Sequence, residues 1–256
     1  ITIVQASSKN NICNIIKREQ FMKKKYKGEE YFVPYKKHAP YFTKERTDDT
    51  GQTYQILSVT QALSKQGSAE QLINWAVRET IKLIDWDKRT VGDYTEIRDW
   101  YANIGTTAHR HMEILLEGGT PQLDKEGYDP MLVQAAQNSI KAFERWLTRH
   151  KVKKLFTEKV LVSDEHELGG TADLIAEVDG VIEVIDFKTG SEFGKHSLQV
   201  AAYAYLAREN GIDVEQCRIV FGHRDTGKLK EVIVYNDELE NLWKRVRAAK
   251  FSYTYL

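Results

Sequence analysis

Asp173, Asp186 and Lys188 are the residues of this 256-residue sequence whose types and spacing could do chemistry. Each carboxylate interrupts an apolar run, Ala172-Asp173-Leu174-Ile175-Ala176 and Val184-Ile185-Asp186-Phe187, that otherwise reads as a buried strand. Asp179-Gly180 between them is a two-residue hairpin signal, because a type I′ turn needs positive φ at both central residues. If that turn forms, Val178 faces Val181 and the pairing descends one for one until Asp173 meets Asp186, with Cβ atoms about 5 Å apart. Lys188 lies two residues beyond Asp186 and projects from the same face.

Two carboxylates at about 5 Å repel by roughly 3 kcal/mol at an effective dielectric near 20. That is a large fraction of a marginal stability, so something must offset it. The candidates are a protonated carboxyl, the Lys188 ammonium, and a divalent cation with oxygen ligands. The neighbours Leu174, Ile175, Ile182, Val184, Ile185 and Phe187 cover both faces of the hairpin, which disfavours a simple surface salt bridge. A structural ion cluster, a hard-metal site and a different strand register all stay open at this point. A hard metal with a lysine alongside suits phosphodiester hydrolysis. The cation polarises the phosphate and lowers the pKa of a bound water, while the ammonium orients that water or neutralises developing charge. Asp186-Phe187-Lys188 is the only Asp/Glu-x-Lys in the sequence, which sets it apart from compositional noise.

The elements that must position these groups follow from periodicity. Asp129-Pro130 is a cap followed by proline at a first helical position, and Leu132, Ala136, Ile140, Phe143 and Leu147 then recur at helical spacing. Strand patterning runs from about Phe156 to Lys188, a helix spans Leu198 to Asn210, and Arg218–Phe221 and Leu229–Val234 flank a turn at Asp225–Gly227. The segment Asp237 to Phe251 reads as a closing helix. Such an order implies an α/β fold, a mixed central β-sheet flanked by helices.

Residues 1–56 read as a basic, aromatic-rich N-terminal arm ahead of a domain over 57–256. Ten cations and four anions lie between Lys17 and Arg46, interleaved with Tyr26, Tyr31, Phe32, Tyr35, Tyr41 and Phe42. That mixture suits phosphate neutralisation with base stacking, or a solvated arm whose aromatics pack on the domain. Lys+Arg and Asp+Glu are both 37, so net charge gives no hint of a nucleic-acid partner. The two cysteines, Cys13 and Cys217, are too few for a four-cysteine zinc or iron–sulfur site and read as reduced thiols of an intracellular protein. No apolar run approaches the roughly 18 residues of a membrane helix, and no secretory signal opens the sequence.

The acid–acid–lysine pattern resembles the PD-(D/E)XK nuclease superfamily, with Gly170-Thr171-Ala172-Asp173 and Asp186-Phe187-Lys188 at the signature positions. Further matches resemble its RecB-like exonuclease branch: Gly105-Thr-Thr-Ala-His109-Arg-His-Met-Glu113, Glu158, and Gln199-Val-Ala-Ala-Tyr203. Their order, with Ser58-Val-Thr60-Gln-Ala-Leu63, is similar to the group of the mitochondrial genome maintenance exonuclease and related phage and bacterial exonucleases. The resemblance covers about Ser58 to Phe251.

It implies a restriction-endonuclease-like core and Mg²⁺- or Mn²⁺-dependent cleavage of DNA from single-stranded ends, in replication, repair or recombination. By that resemblance Asp173 and Asp186 hold the metal and the Phe187 carbonyl completes its shell. Lys188 acts on the attacking water, His109 is a further ligand, Glu158 is an accessory acid near a second metal, and Gln199 and Tyr203 help hold the strand. Ser58 and Thr60 are candidate strand contacts, with helix capping as the plainer role. Some relatives carry a four-cysteine iron–sulfur cluster, which two cysteines cannot build. An endonuclease or duplex-end-resecting enzyme of the same fold, and a non-catalytic nucleic-acid-binding module, are the competing readings.

His109 and His111 need separating. With Ile104, Ala108, Met112 and Leu115 as the buried stripe, helical rotation places His111 nearer its centre and His109 at its edge. Gln199 and Tyr203 are one turn apart and can project together. The arm is Lys-rich rather than Arg-rich, so the expected compartment is the cytoplasm of a microbe or a phage-infected cell rather than the mitochondrial matrix.

Overall fold

Four strands, β1 (Phe21–Tyr26), β2 (Glu29–Pro34), β3 (Tyr41–Thr47) and β4 (Thr53–Ser58), lead into the short helix α1 (Val59–Ala62). A small ladder of β5 (Ile84–Asp85) and β6 (Thr90–Val91) precedes helices α2 (Tyr94–Leu116) and α3 (Pro130–Arg149). Strands β7 (Val152–Ser163), β8 (Leu168–Val178) and β9 (Val181–Lys188) follow, then α4 (Lys195–Glu209), β10 (Gln216–Gly222), β11 (Leu229–Val234) and α5 (Asn236–Tyr255). This computed structural model describes residues 21–26, 29–34, 41–47, 53–66, 76–78, 81, 84–85, 90–91, 94–123, 130–190 and 194–255. The side chains of the basic stretch 17–46, with Cys13 and Asp129, lie outside the described residues. Among the described residues no helix is long and apolar enough to cross a membrane.

The main sheet has nine strands in the order β1-β2-β3-β4-β8-β9-β10-β11, with β7 also paired to β8. It is mixed, as the alternation of elements implies: β4 with β8 and β9 with β10 are parallel, and the other neighbours antiparallel. Segment 21–58, whose sequence shows little sustained periodicity, carries four of these strands.

Asp179 and Gly180 take φ values of 52° and 96°, the pair of positive angles a type I′ turn requires. Val178 pairs with Val181, and the register descends one for one to Leu174 with Ile185. There the ladder stops, one step short of Asp173 and Asp186. β7 occupies one edge of β8 along its length, from Ser163 opposite Leu168 to Val152 opposite Val178. β9 and β4 must therefore share the other edge, β9 beside residues 174–178 and β4 beside Leu168 and Gly169. Between them the sheet opens at residues 170–173.

Each face of the sheet carries its own core. Ala172, Ile175 and Val184 pack with Leu198, Ala202 and Leu206 of α4 and with Leu239, Trp243 and Val246 of α5. Leu174, Ala176, Ile185, Phe187 and Val220 pack with Met112 of α2 and with Ile140, Phe143 and Trp146 of α3. Alternation along β9 does the sorting, sending Val184 one way and Ile185 and Phe187 the other. On α3 the buried stripe holds Leu132, Ala136, Ile140 and Phe143 as the spacing predicts, but ends on Trp146 rather than Leu147. The Trp146 ring stacks on Phe143 at 5.6 Å and its Nε1 donates to Glu231 at 3.0 Å, so its one polar group is satisfied and it takes the core place.

Candidate active site

The opening in the sheet is where the acidic pair lies. Asp173 is 8% exposed and Asp186 1%. Where the β8–β9 ladder ends, Asp173 Oδ2 accepts the backbone N–H of Phe187 at 3.0 Å. A side chain thus satisfies a donor that the lost strand pairing would otherwise orphan. An extended residue turns its N–H and C=O to the same edge, so the Phe187 carbonyl is presented to the same gap. Lys188 Nζ sits 2.5 Å from Asp186 Oδ2, the same-face neighbour its spacing of two requires. The approach is off line for a hydrogen bond, and the buried Oδ2 has no aligned donor. Burial pushes the Asp186 carboxyl above the ordinary carboxylate range; Lys188 pulls it down and Asp173 pushes it further up.

Helices close on this group from both faces. From α2, His109 Nδ1 lies 3.3 Å from Asp173 Oδ2. His111 is fully buried with Nδ1 2.8 Å from the Thr107 carbonyl, so the helical rotation read from the sequence sorts the two histidines correctly. From α4, Gln199 Nε2 donates to Tyr203 Oη at 3.1 Å; the two do project together. Tyr203 is packed so closely on Gly170 that a Cβ there would collide with its ring. Burial raises the Tyr203 hydroxyl above its ordinary pKa, and Asp186, Asp173 and Glu158 all add to that rise. Glu158 sits on β7 between Thr157, paired with Leu174, and Lys159, paired with Ala172, which puts it at the register position facing Asp173. It interrupts the ladder there with φ at 44°, a left-handed backbone uncommon away from glycine.

Ser58 and Thr60 lie at the β4 end of the same opening, since Ser58 pairs with Gly169. The Ser58 hydroxyl caps α1 by accepting the Gln61 N–H at 3.1 Å, and it lies 3.2 Å from Thr60 Oγ1. The structure adds neighbours that the motifs do not single out. A Cβ on Gly105 of α2 would lie 3.7 Å from Thr189 Oγ1, just past Lys188. Tyr101, one turn before Gly105, lies under the Arg224 guanidinium at 3.8 Å. The spacing 101, 105, 109 marks one helical face, but nothing in sequence ties that face to Arg224, 115 residues beyond His109.

The residues fit a hard divalent cation in kind. Two buried carboxylates and a backbone carbonyl facing the same gap are the oxygen donors Mg²⁺ and Mn²⁺ prefer. Among the described residues no three His, Cys, Asp or Glu side chains form a ready cluster. A magnesium-type ion needs none, because it keeps several waters and is bound by one or two carboxylates plus substrate phosphate.

Residues 73–251 match the profile of the PD-(D/E)XK nuclease superfamily, a span that takes in α2, both acid-bearing strands and α4. The chain belongs to that superfamily. Among solved structures it is similar to a candidate exonuclease from Eubacterium rectale, at 12% identity and a TM-score of 0.43, over 59% of this chain and 66% of that one. It thus spans just under two thirds of that protein. It is also similar to the protein SSO0001, at 14% identity and a TM-score of 0.27, over 69% and 85% of the two chains. No curated protein matches the sequence at a significant level.

Proposed function

We propose that the protein is a metal-dependent exonuclease that hydrolyses phosphodiester bonds of single-stranded DNA, in replication, repair or recombination. One observation carries this reading: two buried carboxylates and Lys188 meet where β8 loses its partner, with Lys188 Nζ 2.5 Å from Asp186 Oδ2. Such a group costs stability unless a counter-charge compensates it.

Asp173 and Asp186, with the Phe187 carbonyl, would hold Mg²⁺ or Mn²⁺, and His109 would contribute as a further ligand. When bound, the ion supplies Lewis acidity toward a phosphoryl oxygen and makes a water more acidic. Lys188, fixed beside Asp186, is placed to donate to the attacking water and to neutralise charge that develops on the phosphate. Glu158, facing Asp173 across the β7–β8 register, serves as an accessory acid. Gln199 donates to Tyr203, which leaves the Tyr203 proton for an acceptor on the strand. The raised Tyr203 pKa keeps that proton in place at neutral pH. Ser58 and Thr60 stand at the β4 side of the opening as strand contacts beyond their capping role. Preference for single strands and free ends rests on the order of motifs shared with RecB-like exonucleases. Residues 1–56 would add a basic strand-binding arm to a nuclease domain over 57–256, working in the cytoplasm of a microbe or a phage-infected cell.

The test is to incubate end-labelled single strands and a covalently closed single-stranded circle with Mg²⁺ or Mn²⁺. The parent should shorten the linear strand and spare the circle, and Asp186→Ala and Lys188→Ala should leave both substrates intact while melting cooperatively. Full cleavage by both variants would remove the catalytic assignment; cutting of the circle would make the protein an endonuclease.

A further inference from the structure

Arg224 lies in the loop between β10 and β11, and its guanidinium stacks 3.8 Å above the Tyr101 ring of α2. Its Nη1 is 3.2 Å from where a Cβ on Gly190 would stand, and its Nε is buried with no acceptor. Among the described residues no carboxylate or carbonyl takes a donor of the guanidinium. That is a costly state for a buried donor.

The guanidinium is not needed to hold the loop. The backbone is already tied by Arg224 N–H to the Thr189 carbonyl at 3.2 Å and by Asn138 Nδ2 to the Arg224 carbonyl at 2.8 Å. His223 N–H donates to the Lys228 carbonyl at 2.9 Å, and Arg145 donates to the Gly227 carbonyl. The side chain is instead aligned with the proposed catalytic group. Tyr101, Gly105 and His109 occupy one face of α2 at successive turns, under Arg224, Thr189 and Asp173 respectively. Eight residues of helix span about 12 Å. Stacked DNA covers that distance in about three to four nucleotides, at 3.4 Å each, and an extended strand in fewer.

We propose that Arg224, stacked on Tyr101, is a phosphate-holding site for the strand outside the cleavage centre. A planar fork fixed by an aromatic ring matches two phosphate oxygens and always carries its charge. Its position over the ring face leaves no room for a base to stack there. The inference rests on the nucleic-acid reading above and adds where the strand is gripped.

The test measures kcat/KM on a single-stranded oligonucleotide against salt, for the parent, Arg224→Gln and Arg224→Lys. Loss of one phosphate contact should flatten the logarithmic salt slope by about 0.7 in Arg224→Gln. KM should rise about tenfold with kcat within about twofold, and Arg224→Lys should keep most of the slope. Strands carrying one neutral methylphosphonate linkage locate the contact. Neutralisation about two to four nucleotides from the cut should slow the first cleavage by the parent and leave Arg224→Gln unaffected. Equal salt slopes and equal methylphosphonate sensitivity would overturn the site while leaving the nuclease reading intact. So would an Arg224→Gln variant that no longer unfolds cooperatively, because the guanidinium would then be structural. A parent that cleaves no nucleic acid would overturn both.

Discussion

Lys188 Nζ and Asp186 Oδ2 lie 2.5 Å apart, two residues along one strand, at a place where Asp186 is 1% exposed. The lysine partly offsets a charge that burial disfavours, and burial still wins, since the Asp186 carboxyl is held above the ordinary range. A carboxyl raised on folding contributes stability below its unfolded pKa and loses it as pH rises through the folded one.

Asp186→Asn should therefore stabilise the metal-free protein at neutral pH while removing its activity. A gain of about 1 kcal/mol would raise the melting midpoint by about 2–4 °C in a domain of this size. Calorimetry in EDTA at pH 7 and pH 4.5 should show the gap narrowing as the parent carboxyl becomes protonated. A variant that melts below the parent at pH 7 would mean that the Lys188 pairing outweighs burial.

Gly170 and Tyr203 define the next dependence. The Tyr203 ring fills the space a Cβ would need, so Gly170→Ala must push the ring, and the hydroxyl that Gln199 holds, away from the opening. Overpacking of this kind costs about 1–3 kcal/mol, and strand cleavage should fall with it. In a Tyr203→Ala background the same methyl should cost much less, a coupling of about 0.5–3 kcal/mol in urea unfolding. Equal costs in both backgrounds would show that the ring is not what the methyl meets.

Asp179-Gly180, Asp173, Asp186 and Lys188 were legible in the sequence because a two-residue turn fixes register and the period of two fixes faces. The split of His109 from His111 was legible for the same kind of reason, a local period. The parting of β8 and β9 at the acidic pair was not, because it depends on Ser58 of β4 arriving at Gly169 from 111 residues away. Strands β1–β3 were obscured by their lysines and glutamates, which break the alternation that marks a half-buried strand. The buried pairing of Arg218 with Glu183, at 2.7 and 2.9 Å, leaves no mark in the sequence either. Arg218 and Glu183 lie on β10 and β9, whose parallel pairing no turn signal announces.

His196, in the first turn of α4, gives the pH dependence. It is 7% exposed, its ring is 5.8 Å from Phe221, and its pKa is lowered to about 3 by burial first and then by the positive charges of Lys188 and Lys195. The unfolded chain takes up this proton near pH 6.5 and the folded protein only near 3, so between those values the unfolded state binds more protons. Stability is therefore full above about pH 6.5 and declines as pH falls, with a slope of up to about 1.4 kcal/mol per pH unit from this group. His196→Gln has no such proton, so the difference in unfolding free energy between variant and parent should shift in the variant's favour as pH drops from 7 to 4.5. Lys195→Gln should act on the same group in the opposite sense to Lys195 itself, raising the His196 pKa in an NMR titration and making the acid decline shallower. Parallel urea curves for parent and His196→Gln across that range would show that the folded protein accepts the proton without penalty.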